Sequence, residues 1–218
     1  MKQTILFLLF TCSWNCFFAQ TYIEPLAGYQ KDINGNHYNF SMINTGAQIA
    51  WKKGRTYELL LNATVGFGLS KRITETVFTS NPNFPVQAAA TKNMHPFTGT
   101  FTLGHRFKLT SDKFNGAINA LLYTGLSYQK IKVTYQYDKA NYTVLNPDRT
   151  QDGFGFIILT GLEYMKEFKN GKWFLQALAV PQPIMKKVPA NISFHFMAPL
   201  SFNTGYSFII KKPKKRGK

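Results

Sequence analysis

The chain has 218 residues, a formal net charge of +16 and 44% hydrophobic residues, including 20 Phe and 11 Tyr. Only 17% of the residues are charged, fewer than the ~25% usual in soluble domains. Its two cysteines, Cys12 and Cys16, lie in the first twenty residues, which excludes a disulfide framework or thiol chemistry once that segment is removed.

Residues 1–19 are predicted to be a signal peptide. A short positive segment, MKQ, precedes the apolar run ILFLLF, and a cleavage site follows Ala19. A membrane-spanning helix is disfavoured here because it needs ~20 apolar residues. No later segment reaches that length. The chain is therefore expected to be exported and not to be anchored by helices.

Eight segments after residue 19 are predicted as β-strands, because apolar and polar residues alternate in them with a period of two. The pattern is clearest in YELLLNATVGFGLS, residues 57–70, where one face reads Tyr, Leu, Leu, Ala, Val, Phe, Leu and the other is mostly small or polar. In chain order the segments are 21–30, 39–51, 57–70, 97–109, 116–129, 153–168, 172–180 and 192–210.

The predicted connections alternate in length. Short turns at 53–55, 109–115 and 169–172 alternate with longer polar stretches. The two longest stretches are 71–96 and 130–152, and 181–191 is a shorter one. Outer-membrane barrels have short periplasmic turns and longer external loops, so this alternation favours such a barrel.

Periodicity alone leaves open which face of the strands is turned outward, since a lipocalin-like soluble barrel shows the same alternation with its apolar face inside. The polar rows hold mainly Gly, Ser, Thr, Asn and Gln, which suit the narrow lumen of an eight-stranded barrel. A strand of fourteen residues tilted by ~45° rises about 33 Å, enough to cross an apolar band ~25 Å tall. We therefore predict an all-β fold, an eight-stranded antiparallel up-and-down transmembrane β-barrel over residues 20–211, with a basic periplasmic tail at 212–218.

Two sets of residues are predicted to mark the barrel's interior and its membrane boundary. Charged residues on the lumen rows are expected to pair, because buried charges need partners. The resulting network would either plug the barrel or form the constriction of a gated pore. The lumen set is Glu24, Glu58, Arg106, Lys108, Glu163 and Glu167. Aromatic residues at the strand ends are expected to form a girdle at the lipid–water boundary, and these are Trp51, Tyr57, Phe107, Tyr164, Phe168, Trp173, Tyr206 and Phe208.

This layout resembles the small eight-stranded outer-membrane proteins of the OmpA and OmpX type. In the last strand Asn203, Gly205, Phe208 and Ile210 match the spacing of the C-terminal assembly signal of such barrels, although Ile210 stands where an aromatic residue is preferred. The leader ending in Ala-Gln and the tail KKPKKRGK are similar to those of Bacteroidetes-type barrels. The resemblance implies a fold and a location, not an activity.

Candidate catalytic residues are few. Ser193 and His195 share a face of the last predicted strand and resemble the serine and histidine of outer-membrane lipid A deacylases, but no acid is placed to orient the histidine. His105 is expected at the lipid boundary. The sequence contains no metal-ligand cluster, glycine-rich phosphate loop or nucleotide motif, so no metal or cofactor is predicted.

The sequence therefore predicts a non-enzymatic outer-membrane barrel of a Gram-negative bacterium with a structural or surface-interaction role. A narrow pore or a transport- or secretion-associated barrel is the alternative, and a lipid A-modifying enzyme is a third hypothesis. Expected partners are outer-membrane lipids, the barrel-assembly machinery, and an extracellular ligand or protein at loops 71–96 and 130–152. The basic residues of the short turns, such as Lys52 and Lys172, are expected to face anionic headgroups, and nucleic acid is not an expected partner.

Overall fold

The computed structural model describes residues 20–32, 40–52, 56–110, 116–145, 147, 150–180 and 199–211. These residues form nine β-strands: β1 Gln20–Asp32, β2 Ser41–Lys52, β3 Tyr57–Gly68, β4 Lys71–Phe78, β5 Gln87–Lys108, β6 Ala117–Gln136, β7 Gln151–Phe168, β8 Gly171–Ala179 and β9 Pro199–Lys211. Among them no helix is long and apolar enough to cross a membrane. The predicted signal peptide and basic tail, residues 1–19 and 212–218, lie outside the described residues.

The strands close into a barrel. The sheet runs in the order β3-β2-β1-β9-β8-β7-β6-β5-β4, and a further pairing of β3 with β5 joins its two sides. Every pairing is antiparallel. Strands β3 and β4 both pair with β5, and β4 pairs with the part of β5 that lies beyond the end of β3. Together β3 and β4 therefore occupy one strand position, and the nine strands form an eight-stranded barrel. The predicted eight-stranded antiparallel up-and-down barrel is confirmed.

The break between β3 and β4 is a one-residue bulge. Phe67 pairs with Phe97 and Lys71 with Met94, so three residues of one strand oppose two of the other. The extra residue reverses which side chains face inward. Gly68 lies at the break, where a Cβ atom would stand 1.9 Å from Pro96 Cγ. Only glycine fits this close approach.

The prediction that 71–96 is a loop is wrong for much of its length, and the first part of 130–152 continues strand β6. Strand β4 covers 71–78, β5 begins at Gln87, and β6 continues to Gln136. Strand β5 has 22 residues, about 70 Å of extended chain, which is more than a membrane crossing needs. The inward residues Ile73, Met94 and Val133 pack in one apolar cluster, so these strands are held together by a core of their own, which the polar composition of the segments concealed.

The barrel is polar inside and apolar outside. Buried polar side chains line the interior: Glu24, Asn44, Gln48, Asn62, Thr102, Arg106, Asn119, Glu163, Gln176, Asn203 and Ser207. Large apolar side chains are exposed on the outer face: Ile43, Phe67, Phe101, Leu103, Leu126, Phe154, Phe156, Leu162, Leu175, Phe202 and Phe208. A water-soluble barrel would have the opposite distribution. The soluble alternative is therefore rejected.

Candidate functional site

The centre of the lumen is an ion-pair cluster around Arg106. Glu58 is its register partner on β3, and Nη1 of Arg106 lies 2.5 Å from Glu58 Oε2. Nη2 lies 2.8 Å from Glu24 Oε2 on β1 and 2.8 Å from Glu163 Oε2 on β7, while Nε lies 2.8 Å from Glu163 Oε1. One guanidinium therefore links four strands of the barrel across its interior. We refer to these four residues as the Arg106 cluster.

Neutral side chains complete the Arg106 cluster. Asn119 and Gln176 donate to the two oxygens of Glu163 at 2.8 and 2.9 Å. Gln48 donates to Glu24 and accepts a hydrogen bond of 3.0 Å from the Tyr123 hydroxyl. These amides supply donors to a cluster that has three carboxylates and one guanidinium. Such a shell is needed because a buried carboxylate without donors is very unfavourable.

The lumen is filled on both sides of this cluster. Leu60, Tyr123 and Phe174 are at most 1% exposed. Toward the end of the barrel with the longer connections, an apolar cluster of Phe40, Met42, Met94 and Ile131 packs inside the wall. The Arg106 side chain with its glutamates thus lies across a packed interior, as expected where an eight-stranded lumen is only wide enough for side chains.

Two members of the predicted lumen set do not join the Arg106 cluster. Glu167 pairs with Lys172 at 3.0 Å, and its side chain is 73% exposed. Lys108, which is half-buried, lies at the same end of β5. They occupy the mouth of the lumen on the short-turn side.

The inward position of Lys172 differs from its sequence-based prediction. The sequence predicts that Lys172 faces anionic headgroups, but its Nζ lies 5.0 Å from the centroid of the Tyr22 ring. The turn length in the sequence can predict this position. The two-residue turn at 169–170 places Lys172 directly opposite Glu167, and directly paired residues share a face of the sheet.

The eight predicted girdle residues all face outward at the short-turn end of the barrel, as their register partners show. Several are in ring contact: Tyr57 with Phe107 at 5.5 Å, Tyr164 with Trp173 at 6.3 Å, and Tyr206 with Phe208 at 4.8 Å between centroids. His105 lies on the same face, and its Nδ1 is 2.6 Å from the Tyr57 hydroxyl.

The residues of the predicted assembly signal divide between the two faces of β9. Asn203 is buried and accepts a 2.7 Å hydrogen bond from Asn44. Gly205 faces the Phe174 ring, where a Cβ atom would lie 2.4 Å from Cζ. Phe208 and Ile210 are exposed on the outer wall. Both inward residues thus contribute to packing in the folded barrel, and a role in assembly stays a prediction.

The outer parts of β4, β5 and β6 form a packed extension of the barrel at the end with the longer connections. Val77, Ala90 and Val144 make its core, and partly buried tyrosines pack against it. Lys92 is 1% exposed and pairs with Glu75 at 2.7 Å. The chain after β6 returns to the extension where Thr143 bridges Phe78.

The turn after β6 is ordered by Asp138. Its carboxylate accepts hydrogen bonds of 2.7 Å from the Asn141 side chain and 3.1 Å from the Ala140 backbone. These bonds, the Asn141 contact first, hold the pKa of Asp138 below its ordinary value. Hydrogen bonds of this kind fix the conformation of the turn at the tip of the extension.

The candidate catalytic pair stays untested. Ser193 and His195, the proposed catalytic pair, lie outside the described residues. Within the described part of the chain, no group of three or more His, Cys, Asp or Glu residues is placed to hold a metal ion.

No protein-family model matches the chain. No curated protein matches it either. Among solved structures, it is similar to Ail, the attachment invasion locus protein of Yersinia pestis, in complex with the heparin analogue sucrose octasulfate, with a TM-score of 0.45 and 8% identity over 87% of this chain and 98% of that one. A second structure of Ail gives a TM-score of 0.39 and 9% identity over 88% of this chain and 97% of that one. Similarity at this level assigns no function to the chain.

Proposed function

We propose that this protein is an integral outer-membrane β-barrel of a Gram-negative bacterium, with a non-enzymatic structural or surface-interaction role. The observation that carries the proposal is the inverted polarity of the barrel. Phe101, Leu126 and Phe156 are more than half exposed, whereas Arg106 and Glu163 are buried. Lipid solvates the first group, and ion pairing stabilises the second.

Closure of the sheet supports the same location. In a hydrocarbon environment each unpaired backbone group costs several kcal/mol, so only helices and closed barrels span membranes. The pairing of β3 with β5 completes the ring, and each of the eight strand positions then has a hydrogen-bonded neighbour on both sides. Strands of 12 to 22 residues in this ring, such as β3 and β5, are long enough to cross the apolar band.

The two ends of the barrel support an orientation. The end with the extension is placed outside the cell, since external connections are the longer ones in outer-membrane barrels. The opposite end has the aromatic girdle and the tight turn between Phe168 and Gly171. Basic residues there, including Lys52 and Lys169, would face the anionic surface on the periplasmic side.

The extension is the surface through which the protein would meet an extracellular partner. Its strands pack around a core of their own, and Phe84, Val86 and Leu145 are exposed near its tip. Apolar side chains on a rigid, otherwise polar surface are a common basis for protein recognition.

The pore alternative is disfavoured by the interior. Arg106 contacts glutamates from three other strands, so an ion entering the lumen would have to break a buried, multiply bonded cluster. A transport-associated role would then have to use the outer surface of the barrel or the extension, not the lumen.

Cysteine labelling in cells tests the location and the orientation together. Asn83→Cys is at the tip of the β4–β5 hairpin and Asn170→Cys is in the short turn between β7 and β8. A membrane-impermeant maleimide added to intact cells should label Asn83→Cys but should label Asn170→Cys only after the outer membrane is permeabilised. Both variants should also show the heat-dependent gel mobility of folded barrels. A soluble protein, or the reverse labelling pattern, would refute the proposal.

A further inference from the structure

The outer wall of the barrel has an apolar groove that the fold itself does not require. It has a volume of about 410 Å³, within the range of ~300–1,000 Å³ that is typical of ligand pockets. Its floor is a cross-strand row of three residues, Thr45, Val65 and Gly99, in direct register on β2, β3 and β5. Phe101 and Leu126 stand on one side of this floor.

An arc of aromatic rings borders the groove. Phe67 contacts Phe97 at 5.5 Å, Phe97 contacts Tyr128 at 6.3 Å, and Tyr128 contacts Phe154 at 4.9 Å between centroids. Tyr128 and Phe154 continue the Gly99 row onto β6 and β7. Aromatic side chains therefore stand between the groove and the extension, and two of them, Tyr128 and Phe154, line the groove itself.

Gly99 creates the groove and is not needed for backbone reasons. A Cβ atom at this position would meet only Phe97 Cε1, at 4.0 Å, and the backbone of Gly99 does not have a positive φ. At Gly46 and Gly125, by contrast, a Cβ atom would lie 2.2 Å from a neighbouring carbonyl oxygen. The absence of a side chain at Gly99 leaves space on the outer wall, and neither strand packing nor backbone conformation requires a glycine there.

Positive charge lies immediately beyond the aromatic arc. Lys130 is two residues past Tyr128 on the same outward face of β6, about 7 Å further along the strand, and Lys132 follows it. In the strand register Lys130 lies opposite Phe97 on β5 and Asp152 on β7, and Lys132 lies opposite His95 on β5. Both lysines are exposed.

Arg72, also exposed, faces outward on the adjoining part of β4, in register with Asn93. The carboxylate that faces this basic patch from the neighbouring strand is Asp152, which accepts a 3.4 Å hydrogen bond from Tyr128. Among the described residues the patch therefore has a net positive charge.

We propose that this groove is a binding site for a phosphorylated lipid of the outer leaflet. One acyl chain lies on the Thr45–Val65–Gly99 floor, and the phosphate is held by Lys130 and Lys132. The proposal rests on the proposed membrane location and orientation. A lipid fits this site because the apolar floor, the aromatic border and the basic patch follow one another along the barrel. This is the order of the acyl chain, the interfacial region and the headgroup in a lipid leaflet.

Native mass spectrometry of the full-length protein, released from detergent micelles, can measure this binding. The probes are dipalmitoyl phosphatidic acid and, with the same chains, dipalmitoyl phosphatidylcholine. The protein should retain phosphatidic acid preferentially. Gly99→Leu should reduce retention of both lipids because it fills the floor. Lys130→Gln and Lys132→Gln should each weaken phosphatidic acid binding about five-fold, the effect of one lysine near a charged headgroup.

Matched variants separate these effects from general ones. Ala177→Leu adds similar bulk, one carbon less than Gly99→Leu, to the outward face of β8 on the opposite side of the barrel. Lys166→Gln removes an outward lysine near the short turn. Neither should change lipid retention. If folded Gly99→Leu retains lipid as well as the parent protein does, or if phosphatidic acid has no advantage, the groove is not such a site, while the membrane location stands. If the micelles release a dimer that depends on Gly99 and carries no lipid, the groove is occupied by a second copy of this chain, and the lipid proposal is overturned. Failure of the parent protein to fold in lipid bilayers would overturn both proposals.

Discussion

Arg106 and Glu24 lie 82 residues apart in the chain and three strands apart around the barrel, yet Arg106 Nη2 and Glu24 Oε2 are 2.8 Å apart. The contact exists because both side chains point into a lumen only wide enough for side chains. It ties the start of the chain to its middle across the interior. The stability of the barrel should therefore depend strongly on this one guanidinium.

Arg106→Met should destabilise the barrel by about 3–5 kcal/mol, because it leaves buried carboxylates without their cation. Urea unfolding in lipid vesicles, followed by tryptophan fluorescence, measures the change. Arg106→Lys is the control: it keeps the charge but loses the planar fork, so its cost should be intermediate. A cost below about 1 kcal/mol for Arg106→Met would show that the cluster does not hold the barrel together.

Glu163→Gln should cost more than Glu58→Gln. Glu163 accepts from Asn119, Gln176 and Arg106 on both of its oxygens, and its side chain is fully buried. A glutamine there must turn its amide toward one of these donors, which costs about 2–3 kcal/mol. Glu58 is at the edge of the cluster, with 12% of its side chain exposed, so its replacement should cost about 1 kcal/mol. The same unfolding experiment compares the two, and equal costs would contradict the observed geometry.

The purified barrel should not conduct ions in planar bilayers. The Arg106 cluster and the packed side chains around it occupy the lumen. Single-channel recordings at moderate voltage should show no steps above background for the parent protein. Reproducible steps that disappear on heat denaturation would support the pore alternative.

Gly68→Ala and Gly99→Ala should have different consequences, although Gly99 lies in β5 and Gly68 lies against Pro96 of the same strand. A Cβ atom at Gly68 would overlap Pro96 at 1.9 Å, whereas one at Gly99 would only touch Phe97 Cε1 at 4.0 Å, an ordinary van der Waals contact. Gly68→Ala should therefore destabilise the barrel by about 1–3 kcal/mol, and Gly99→Ala should be neutral or slightly stabilising. Urea unfolding and the heat-dependent gel shift check both variants. A neutral Gly68→Ala would show that the bulge relaxes easily.

The alternation of side chains along each strand, together with the alternation of short and long connections, predicts the barrel. In residues 57–70 it placed Leu61 and Phe67 on the lipid face and Glu58 and Asn62 in the lumen, and the structure has them there. This works because successive side chains of a strand point to opposite faces wherever the strand is placed. Strand length and the small residues of the polar rows then favoured lipid over water as the outer solvent.

Only the tertiary structure decided which charged residues meet. Glu24, Arg106 and Glu163 come from different strands, and their contact depends on the stagger of the closed ring, which no local pattern encodes. Lys172 and Glu167 lie instead at the mouth of the lumen because of their position along the strands. The sequence pattern does not predict the extension, for a related reason. A bulge after Gly68 reverses the inward face of β4 relative to β3, so the period of two is interrupted where the strand pairing continues. A period is a local property of the chain, whereas the partner of a buried charge is set by the closure of the whole barrel.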